Sequence, residues 1–184
     1  LKDLNKDLYQ VDTPQTVLGM RKTIIEFVNF IQKPTLITID HSVLIKKDAS
    51  EKDKFEMLYN LGEMLTELKK SGAPMIFIIL TQMNRSIEDQ LRKIPGTIGN
   101  YPTTSDVFGA DALLQHSDML IALNHPVKNH IHTYGPEQFQ MQRDDLVMHF
   151  LKSRNGDNVM FFFKSHLKYY TLIEAAPPLK ALPF

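Results

Sequence analysis

The chain has 184 residues, of which 43% are apolar, 23% charged and 9% aromatic. This composition is typical of a folded globular domain and excludes a disordered, collagen-like or disulfide-stabilised chain. The 21 basic residues balance the 21 acidic residues, so a nucleic-acid site must be local. The absence of cysteine excludes disulfides and thiolate zinc sites, and no apolar run approaches the roughly 20 residues that span a bilayer.

Two amphipathic helices are predicted in the first half of the chain. Thr13 and Pro14 suit the cap and the first position of a helix that ends before Pro34. Residues 50–53 have a capping-box pattern that begins a second helix, and Gly72 is a suitable stop. The apolar positions recur every three or four residues: Val17, Met20, Ile24, Phe27 and Ile31, then Phe55, Leu58, Leu61, Leu65 and Leu68.

Each helix is followed by a predicted strand. Residues 35–40 form a β-branched run, and residues 74–80 form an apolar run that we expect to be buried on both faces. A long loop over 83–117 is predicted to contain a short helix at 109–116, and a second loop covers 124–142. Further strands are predicted at 119–123, 146–153, 159–164 and 169–174, followed by a loosely held tail over 175–184.

This order of elements predicts one α/β domain over residues 1–174. Its sheet is expected to be mainly parallel and flanked by helices, with antiparallel strands at the C-terminal edge. Ligands of such sheets bind beyond the carboxyl ends of the strands. The chain begins at Leu1 without a signal-peptide pattern, and we interpret it as a piece of a longer protein or a processed form.

Two strand ends carry candidate site residues. Asp40 closes the first strand, where a carboxylate can hold the water shell of a magnesium ion, or simply cap a turn. Gln82 follows the second strand, where its amide can bind a phosphate oxygen or an attacking water. The alternative for Gln82 is a polar strand end whose side chain is satisfied by the backbone.

Two cations near the end of a later strand form a second candidate group. Lys152 and Arg154 are two residues apart, so on a strand they point to the same face. They precede Asn155-Gly156, a hairpin turn signal. They can therefore form a clamp for a polyphosphate or lie on the solvated edge of a hairpin, and the two interpretations are compatible.

Five segments agree in order and approximate spacing with one known family. They are Leu8–Pro14, Leu36–Asp40, Gln82–Glu88, Ser105–Asp106 with Gln115–Asp118, and Lys152–Gly156. Together they resemble the motor domain of hexameric replicative DNA helicases of the DnaB type. Leu36–Asp40 resembles its Walker B strand, Leu8–Pro14 the strand and helix start before it, and Lys152–Gly156 its Lys-x-Arg-Asn-Gly signature.

The resemblance covers residues 8–174 and implies a RecA-like ATPase fold that works as a ring. Asp40 would support magnesium, and Gln82 would sense the γ-phosphate of ATP. Lys152 and Arg154 would reach the neighbouring subunit's nucleotide as an arginine finger with its lysine companion. The resemblance also implies ATP and Mg²⁺ as cofactors, a homo-hexamer, single-stranded DNA, a primase or helicase loader as partner, and a cytoplasmic location in a bacterial or phage-infected cell, without membrane association.

The sequence also departs from this family. It contains no G-x-x-x-x-G-K-[ST] phosphate loop; in the family, that loop and the catalytic glutamate precede the resembling segment. We therefore expect this chain by itself to be inactive as an ATPase. His41 stands where the family usually has an aromatic residue, and Phe108 replaces a phosphate-binding arginine.

The loop over 83–117 resembles the family's channel loop, which implies that it faces the central channel and holds single-stranded DNA. Its candidate DNA-binding residues are Arg85, Arg92 and Lys93, which supply positive charge, and Phe108, which can stack on bases as Tyr101 also can. Alternatively, the two rings pack the loop onto the sheet.

Two other interpretations of the chain's function stay open. The chain can belong to a recombinase-like or clock-type ATPase of the RecA fold, or it can be a degenerate RecA-like module that serves as a scaffold or binds DNA without ATPase activity.

Three histidines lie close together in the predicted second loop. His130 and His132 can share a zinc ion or, as we favour, lie in a polar surface loop with His125.

Overall fold

A computed structural model describes residues 8–181. The contacts divide the chain into two compact units, one ending at Thr81 and the other beginning at Gln82. The predicted domain start at residue 1 and the last three residues of the predicted tail lie outside the described residues. Within them, no helix combines the length and hydropathy that crossing a membrane requires.

The first unit contains both predicted helices, but each begins three residues later than predicted. α1 covers Val17–Ile31, and its cap is Thr16, whose hydroxyl accepts a hydrogen bond from the Gly19 amide at 3.2 Å. α2 covers Lys54–Lys70, and its cap is Asp53. The assignments of Thr13 and residue 50 as caps are therefore wrong. In each case another residue with a side-chain oxygen, Thr16 or Asp53, lies three residues further along the chain and takes the last non-helical position.

The helices are joined to a parallel pair of strands. β1 covers Thr35–Ile39 and β2 covers Met75–Ile79, paired in register from the first residue of each to the last. The buried face of α2 consists of Met57, Leu58, Leu61, Met64, Leu65 and Leu68. Phe55, predicted to share this face, is instead 60% exposed.

One face of the β1–β2 pair is open. Leu36 is 61% exposed and Ile76 66% exposed, and Ile78 is exposed on the same face. The prediction that residues 74–80 are buried on both faces is therefore wrong. The stretch before α1 that resembles a strand forms none over residues 8–12, so no described strand pairs with the outer edge of β1.

The second unit is built on an antiparallel sheet. The four strands of this sheet are β3 (Met119–Asn124), β6 (Asp145–Ser153), β7 (Met160–His166) and β8 (Thr171–Ala175), in the order β3-β6-β7-β8. A separate small hairpin, β4 (Thr133–Tyr134) and β5 (Phe139–Gln140), lies in the predicted second loop, and α3 covers Ala110–His116 as predicted.

The expectation of a mainly parallel sheet is wrong for the described residues. Only β1 and β2 pair in parallel, whereas β3, β6, β7 and β8 pair antiparallel throughout. Short turns join β6 to β7 and β7 to β8, and a short connection between neighbouring strands forces them to run in opposite directions. The fold is therefore α/β, with a parallel pair in one unit and an antiparallel sheet in the other.

The core of the second unit lies between the hairpin and one face of its sheet. It is formed by Ile131, Tyr134, Phe139, Met141, Val147 and Phe162. The tail also packs here: the Gln140 amide donates to the Leu179 carbonyl at 2.8 Å, and the Ala181 amide donates to the Gln138 carbonyl at 2.9 Å. The described part of the tail therefore makes backbone contacts with β5 and the residue before it.

Candidate functional site

Asp40 lies where the parallel pair ends. The Leu80 amide donates to the Ile39 carbonyl at 3.0 Å, and the Ser42 amide donates to the Leu80 carbonyl at 2.9 Å. These bonds bring the segments that follow β1 and β2 side by side, and the Ser42 and Thr81 hydroxyls lie 3.0 Å apart. The Asp40 side chain is exposed at this edge, so its carboxylate can contact a hydrated cation there.

A cavity of about 580 Å³ borders α1 and β1. Apolar side chains such as Met20, Ile24 and Phe27 form much of its wall, and Asp40 also contributes to it. Among the described residues that line it, Lys33 is the one lysine or arginine. This cavity is therefore a poor match for a triphosphate, which proteins bind with clusters of amide N–H groups and cations.

Gln82 begins a loop that is closed at its base. Its carbonyl accepts a hydrogen bond from the Phe108 amide at 2.9 Å, and Met83 forms an antiparallel bridge with Val107. The Asn84 side chain donates to the Ser105 carbonyl at 3.1 Å. The Gln82 side chain is exposed. The two ends of the predicted loop therefore lie side by side, and the chain between them forms short 3-10 turns.

Arg92 holds this loop together. Its guanidinium donates to the Gly99 carbonyl at 2.9 Å, to the Tyr101 carbonyl at 2.6 Å and to the Asp106 carboxylate, and its side chain is only 20% exposed. Burial alone would raise the pKa of Asp106, but hydrogen bonds from Arg92 and Thr103 outweigh it and hold that pKa below its ordinary value. Three of the donors of Arg92 are therefore used within the protein.

Sequence reasoning missed the second residue that organises the loop. Asn100 is buried, and its amide group donates to the carbonyls of Arg92 and Ile94 at 2.7 and 3.0 Å. Its side-chain oxygen accepts from the Gly135 amide at 3.1 Å, which ties the loop to the β4–β5 hairpin. The only sequence signal was an asparagine in a stretch rich in glycine and proline, which also suits an ordinary turn.

The other candidate DNA-binding residues are placed differently. Arg85 is exposed, in a 3-10 turn at Arg85–Glu88. Lys93 and Phe108 are half-buried. Tyr101 packs against Tyr134, with ring centroids 4.9 Å apart, and donates to Glu137 at 2.6 Å. The Tyr101 ring therefore packs the loop onto its own unit, which was the alternative considered for it.

Lys152 and Arg154 lie together at one end of the antiparallel sheet. Lys152 is the second-to-last residue of β6, and its ammonium donates to the Leu114 carbonyl in α3. Arg154 follows β6; its backbone amide donates to the Asp118 carbonyl at 2.9 Å, and its Nη1 lies 2.8 Å from Asp118 Oδ1. The structure therefore brings these two predicted cations together, and one segment, residues 114–118 from the last turn of α3 to the start of β3, contacts both.

The three candidate histidines do not form a metal site. His130 and His132 are exposed, and burial followed by the charge of Lys128 lowers the pKa of His125. Among residues 8–181, no group of three histidine, aspartate or glutamate side chains is arranged to hold a metal ion. A magnesium ion at Asp40 would therefore take its other ligands from water and phosphate oxygens, which is how Mg²⁺ is commonly bound with nucleotides.

A buried polar network that was not predicted supports the second unit. The Tyr134 hydroxyl lies 2.7 Å from His149 Nε2 and accepts a hydrogen bond from the Asn124 side chain at 2.9 Å. Burial lowers the pKa of His149 to about 4, so its ring is neutral at pH 7 and Nε2 can accept the tyrosine proton. This network is enclosed in the core and has a structural role.

Comparison with known proteins identifies the fold. No protein-family model matches the chain, and no curated protein matches its sequence. Solved structures of DnaB-like helicase ATPase domains match it. One is an ATPase domain, with a TM-score of 0.67 and 14% identity, covering 89% of this chain and 52% of that one. Another is a DnaB-like replicative helicase studied with its interactions with primase; it has the same TM-score and identity and covers 87% of this chain and 36% of that one.

Proposed function

We propose that this chain, which has the fold of DnaB-like helicase ATPase domains over most of its length, is part of an ATP-driven DNA helicase motor with a RecA-like core. The observation that carries the proposal is the joint presentation of Lys152 and Arg154 at one end of the antiparallel sheet. The chain spans about half of one matched chain and about a third of the other. ATP hydrolysis therefore requires a phosphate loop that this sequence does not contain.

In the proposed motor, each candidate acts on the triphosphate of ATP. The exposed carboxylate of Asp40 binds the water shell of Mg²⁺, and the Gln82 amide contacts the γ-phosphate. Lys152 and Arg154 reach the nucleotide of a neighbouring copy in a hexameric ring. There their positive charges stabilise the negative charge that develops on the transferring phosphoryl group.

The proposed path of single-stranded DNA follows the loop that begins at Gln82. Arg85 and Lys93 supply phosphate contacts, and the ring of Phe108, further along the same loop, stacks on a base. Arg92 orders the loop instead, since its guanidinium is bonded to Gly99, Tyr101 and Asp106. A primase or a helicase loader is a proposed partner of the assembled ring.

The proposal is tested on the full-length protein that contains this chain. Arg154→Ala is expected to lower kcat for ATP hydrolysis by about 10³-fold or more, as loss of an arginine finger does, while nucleotide binding is retained. Arg143→Ala, which removes an exposed arginine at the opposite end of β6, is the matched control. Undiminished turnover in Arg154→Ala would exclude the finger role.

A second measurement uses the 184-residue chain itself. Without a phosphate loop it is expected to show no ATP turnover above background. Hydrolysis by the purified chain that disappears in Asp40→Ala would contradict this expectation. It would show that the site is complete without the missing loop.

A scaffold or DNA-binding module without ATPase activity is the second candidate. Phe108 in place of an arginine, and the absence of a phosphate loop from the sequence, favour it. The two candidates differ in one assay: a motor unwinds a forked DNA duplex in the presence of ATP and Mg²⁺, whereas a scaffold binds the fork without unwinding it.

A further inference from the structure

One aspartate contacts Arg154 at two points. The Asp118 carbonyl accepts a hydrogen bond from the Arg154 backbone amide at 2.9 Å, and Asp118 Oδ1 forms an ion pair with Nη1 of the same residue at 2.8 Å. The two contacts close a ring that includes both the backbone and the tip of the arginine side chain. An arginine side chain otherwise samples many rotamers, so a contact at each end restricts where the guanidinium can lie.

The segment that carries Asp118 also holds Lys152. Its ammonium donates to the Leu114 carbonyl, four residues before Asp118 and in the last turn of α3. The Lys152 and Arg154 side chains are therefore both anchored to residues 114–118. Their spacing follows from the position of residues 114–118 as well as from the strand that carries them.

The ion pair has little to contribute to folding. The Arg154 and Asp118 side chains are 60% and 53% exposed, and ion pairs with that much solvent around them add little to stability. A substitution at Asp118 is therefore expected to leave the fold intact. The substitution instead removes the contact that orients the Arg154 guanidinium.

The bound guanidinium can still bind phosphate. A guanidinium carries five N–H donors in a planar fork, and the ion pair with Asp118 Oδ1 involves one terminal nitrogen. The other donors can contact phosphate oxygens while Asp118 remains bonded. Asp118 can thus hold the arginine in place during the reaction without having to release it.

We propose that Asp118 is a positioning residue for Arg154: it holds the guanidinium in the orientation in which Arg154 meets the triphosphate bound to a neighbouring copy. This inference rests on the proposed function, in which Arg154 is the finger. Positioning lowers the cost of reaching the transition state, because the side-chain freedom is lost before the substrate arrives. Its loss therefore affects kcat more than KM.

The test compares variants of the full-length protein in ATP hydrolysis with Mg²⁺. Asp118→Asn keeps the shape of the side chain and removes its charge, and it is expected to lower kcat by about tenfold or more with the KM for ATP changed by less than about twofold. Asp118→Glu restores the charge one methylene further out and is expected to recover part of the loss. The matched control is Asp111→Asn, an exposed carboxylate in the first turn of α3.

The results separate this inference from the proposed function. Loss of turnover in Arg154→Ala with full turnover in Asp118→Asn would overturn the positioning role and leave the finger role standing. Full turnover in Arg154→Ala, or no turnover by the unaltered full-length protein, would overturn both. In support of positioning, Asp118→Asn should cost nothing further in a protein that already carries Arg154→Ala.

A spectroscopic measurement needs no activity. In the 184-residue chain labelled with ¹⁵N, the Nε–H resonance of Arg154 is assigned by its absence from Arg154→Ala. It is expected to shift and broaden in Asp118→Asn and to stay in place in Asp111→Asn. An unchanged resonance in Asp118→Asn would show that Asp118 does not hold the guanidinium in solution.

Discussion

Arg92 shows how the same residue type can serve two purposes within one loop. Both Arg85 and Arg92 were candidates for DNA contacts because of their charge. Arg85 is exposed, whereas three of the donors of Arg92 bond to groups of its own loop. Substituting Arg92 would leave the buried Asp106 carboxylate without its cation, and breaking a buried pair is strongly destabilising.

This difference predicts opposite outcomes for substitutions in the loop. Arg85→Ala and Lys93→Ala should each weaken binding to a single-stranded oligonucleotide and reduce the salt dependence of log K by about 0.7. Arg92→Ala should instead lower the free energy of unfolding by about 2–4 kcal/mol, below the upper range for buried pairs because Arg92 is partly exposed. Fluorescence anisotropy over a salt series and urea unfolding measure the two effects, with Lys128→Ala as an exposed control.

His149 predicts a pH dependence of stability. Burial lowers its pKa from 6.5 to about 4 in the folded chain. Between those values the unfolded chain binds a proton that the folded chain does not, so the free energy of unfolding falls as the pH is lowered from 6.5 to 4. Above pH 6.5 this loss of stability is absent, and it grows to about 3 kcal/mol as the pH falls to 4.

Urea unfolding at pH 7 and pH 5 measures this effect. His149→Gln removes the titrating group and retains an acceptor for Tyr134, so its stability should change less between the two pH values than that of the unaltered chain. His132→Gln, at an exposed position, should behave like the unaltered chain. An equal loss in His149→Gln would assign the acid sensitivity to other groups.

At the scale of elements, the helices were predicted well and their first residues were not. The apolar periodicity of α1 and α2 depends on each helix presenting one side to a core, and that requirement holds along its whole length. The cap depends on where the chain leaves its extended conformation. Near α2, Ser50 and Asp53 both have suitable side chains, and only the second takes the cap position.

The cap of α2 gives a direct test at this scale. The Asp53 carboxylate accepts a hydrogen bond from the Glu56 amide at 2.9 Å, so Asp53→Ala should lower the free energy of unfolding by about 1 kcal/mol. Ser50→Ala should have a smaller effect, because the Ser50 hydroxyl bonds to Asp48 and not to the helix. Thermal unfolding followed by circular dichroism compares them. A larger loss for Ser50→Ala would contradict the assignment of the cap.

On the scale of the whole molecule, apolar sheet faces are open in both units. In the first unit Leu36 and Ile76 are exposed on one face of the parallel pair, and in the second unit Ile121 and Leu123 are exposed on one face of the antiparallel sheet. Contiguous apolar surface of this kind favours association. Unpaired strand edges add to the tendency, since their backbone groups can pair with another chain.

Self-association of the 184-residue chain is therefore expected to depend on these faces. Ile76→Lys places a charge on the open face of β2 and should shift the sedimentation profile toward the monomer at equal protein concentration. Leu18→Lys, which adds the same charge at an exposed position of α1, is the control. If both variants sediment like the unaltered chain, this face does not take part in association.

The sequence by itself determined the helices, most of the strands and the placement of Lys152 and Arg154 together at one end of β6. These features depend on local periodicity, on short spacing along one strand and on a turn signal between neighbours, all of which are visible in a few consecutive residues. The motifs also pointed to the fold that the solved structures confirm. The roles of Asp40, Gln82, Lys152 and Arg154 in ATP hydrolysis stay predictions.

Only the tertiary structure decided which polar residues serve the fold and which remain exposed. Arg92 contacts Asp106, Asn100 contacts Gly135 and Arg154 contacts Asp118, although the residues of each pair are 14 to 36 positions apart in the sequence. No local pattern encodes such contacts, because they depend on where the chain returns after a loop or a strand. The pairing of β3 with β6 was settled in the same way, because these two strands are not joined by a short turn.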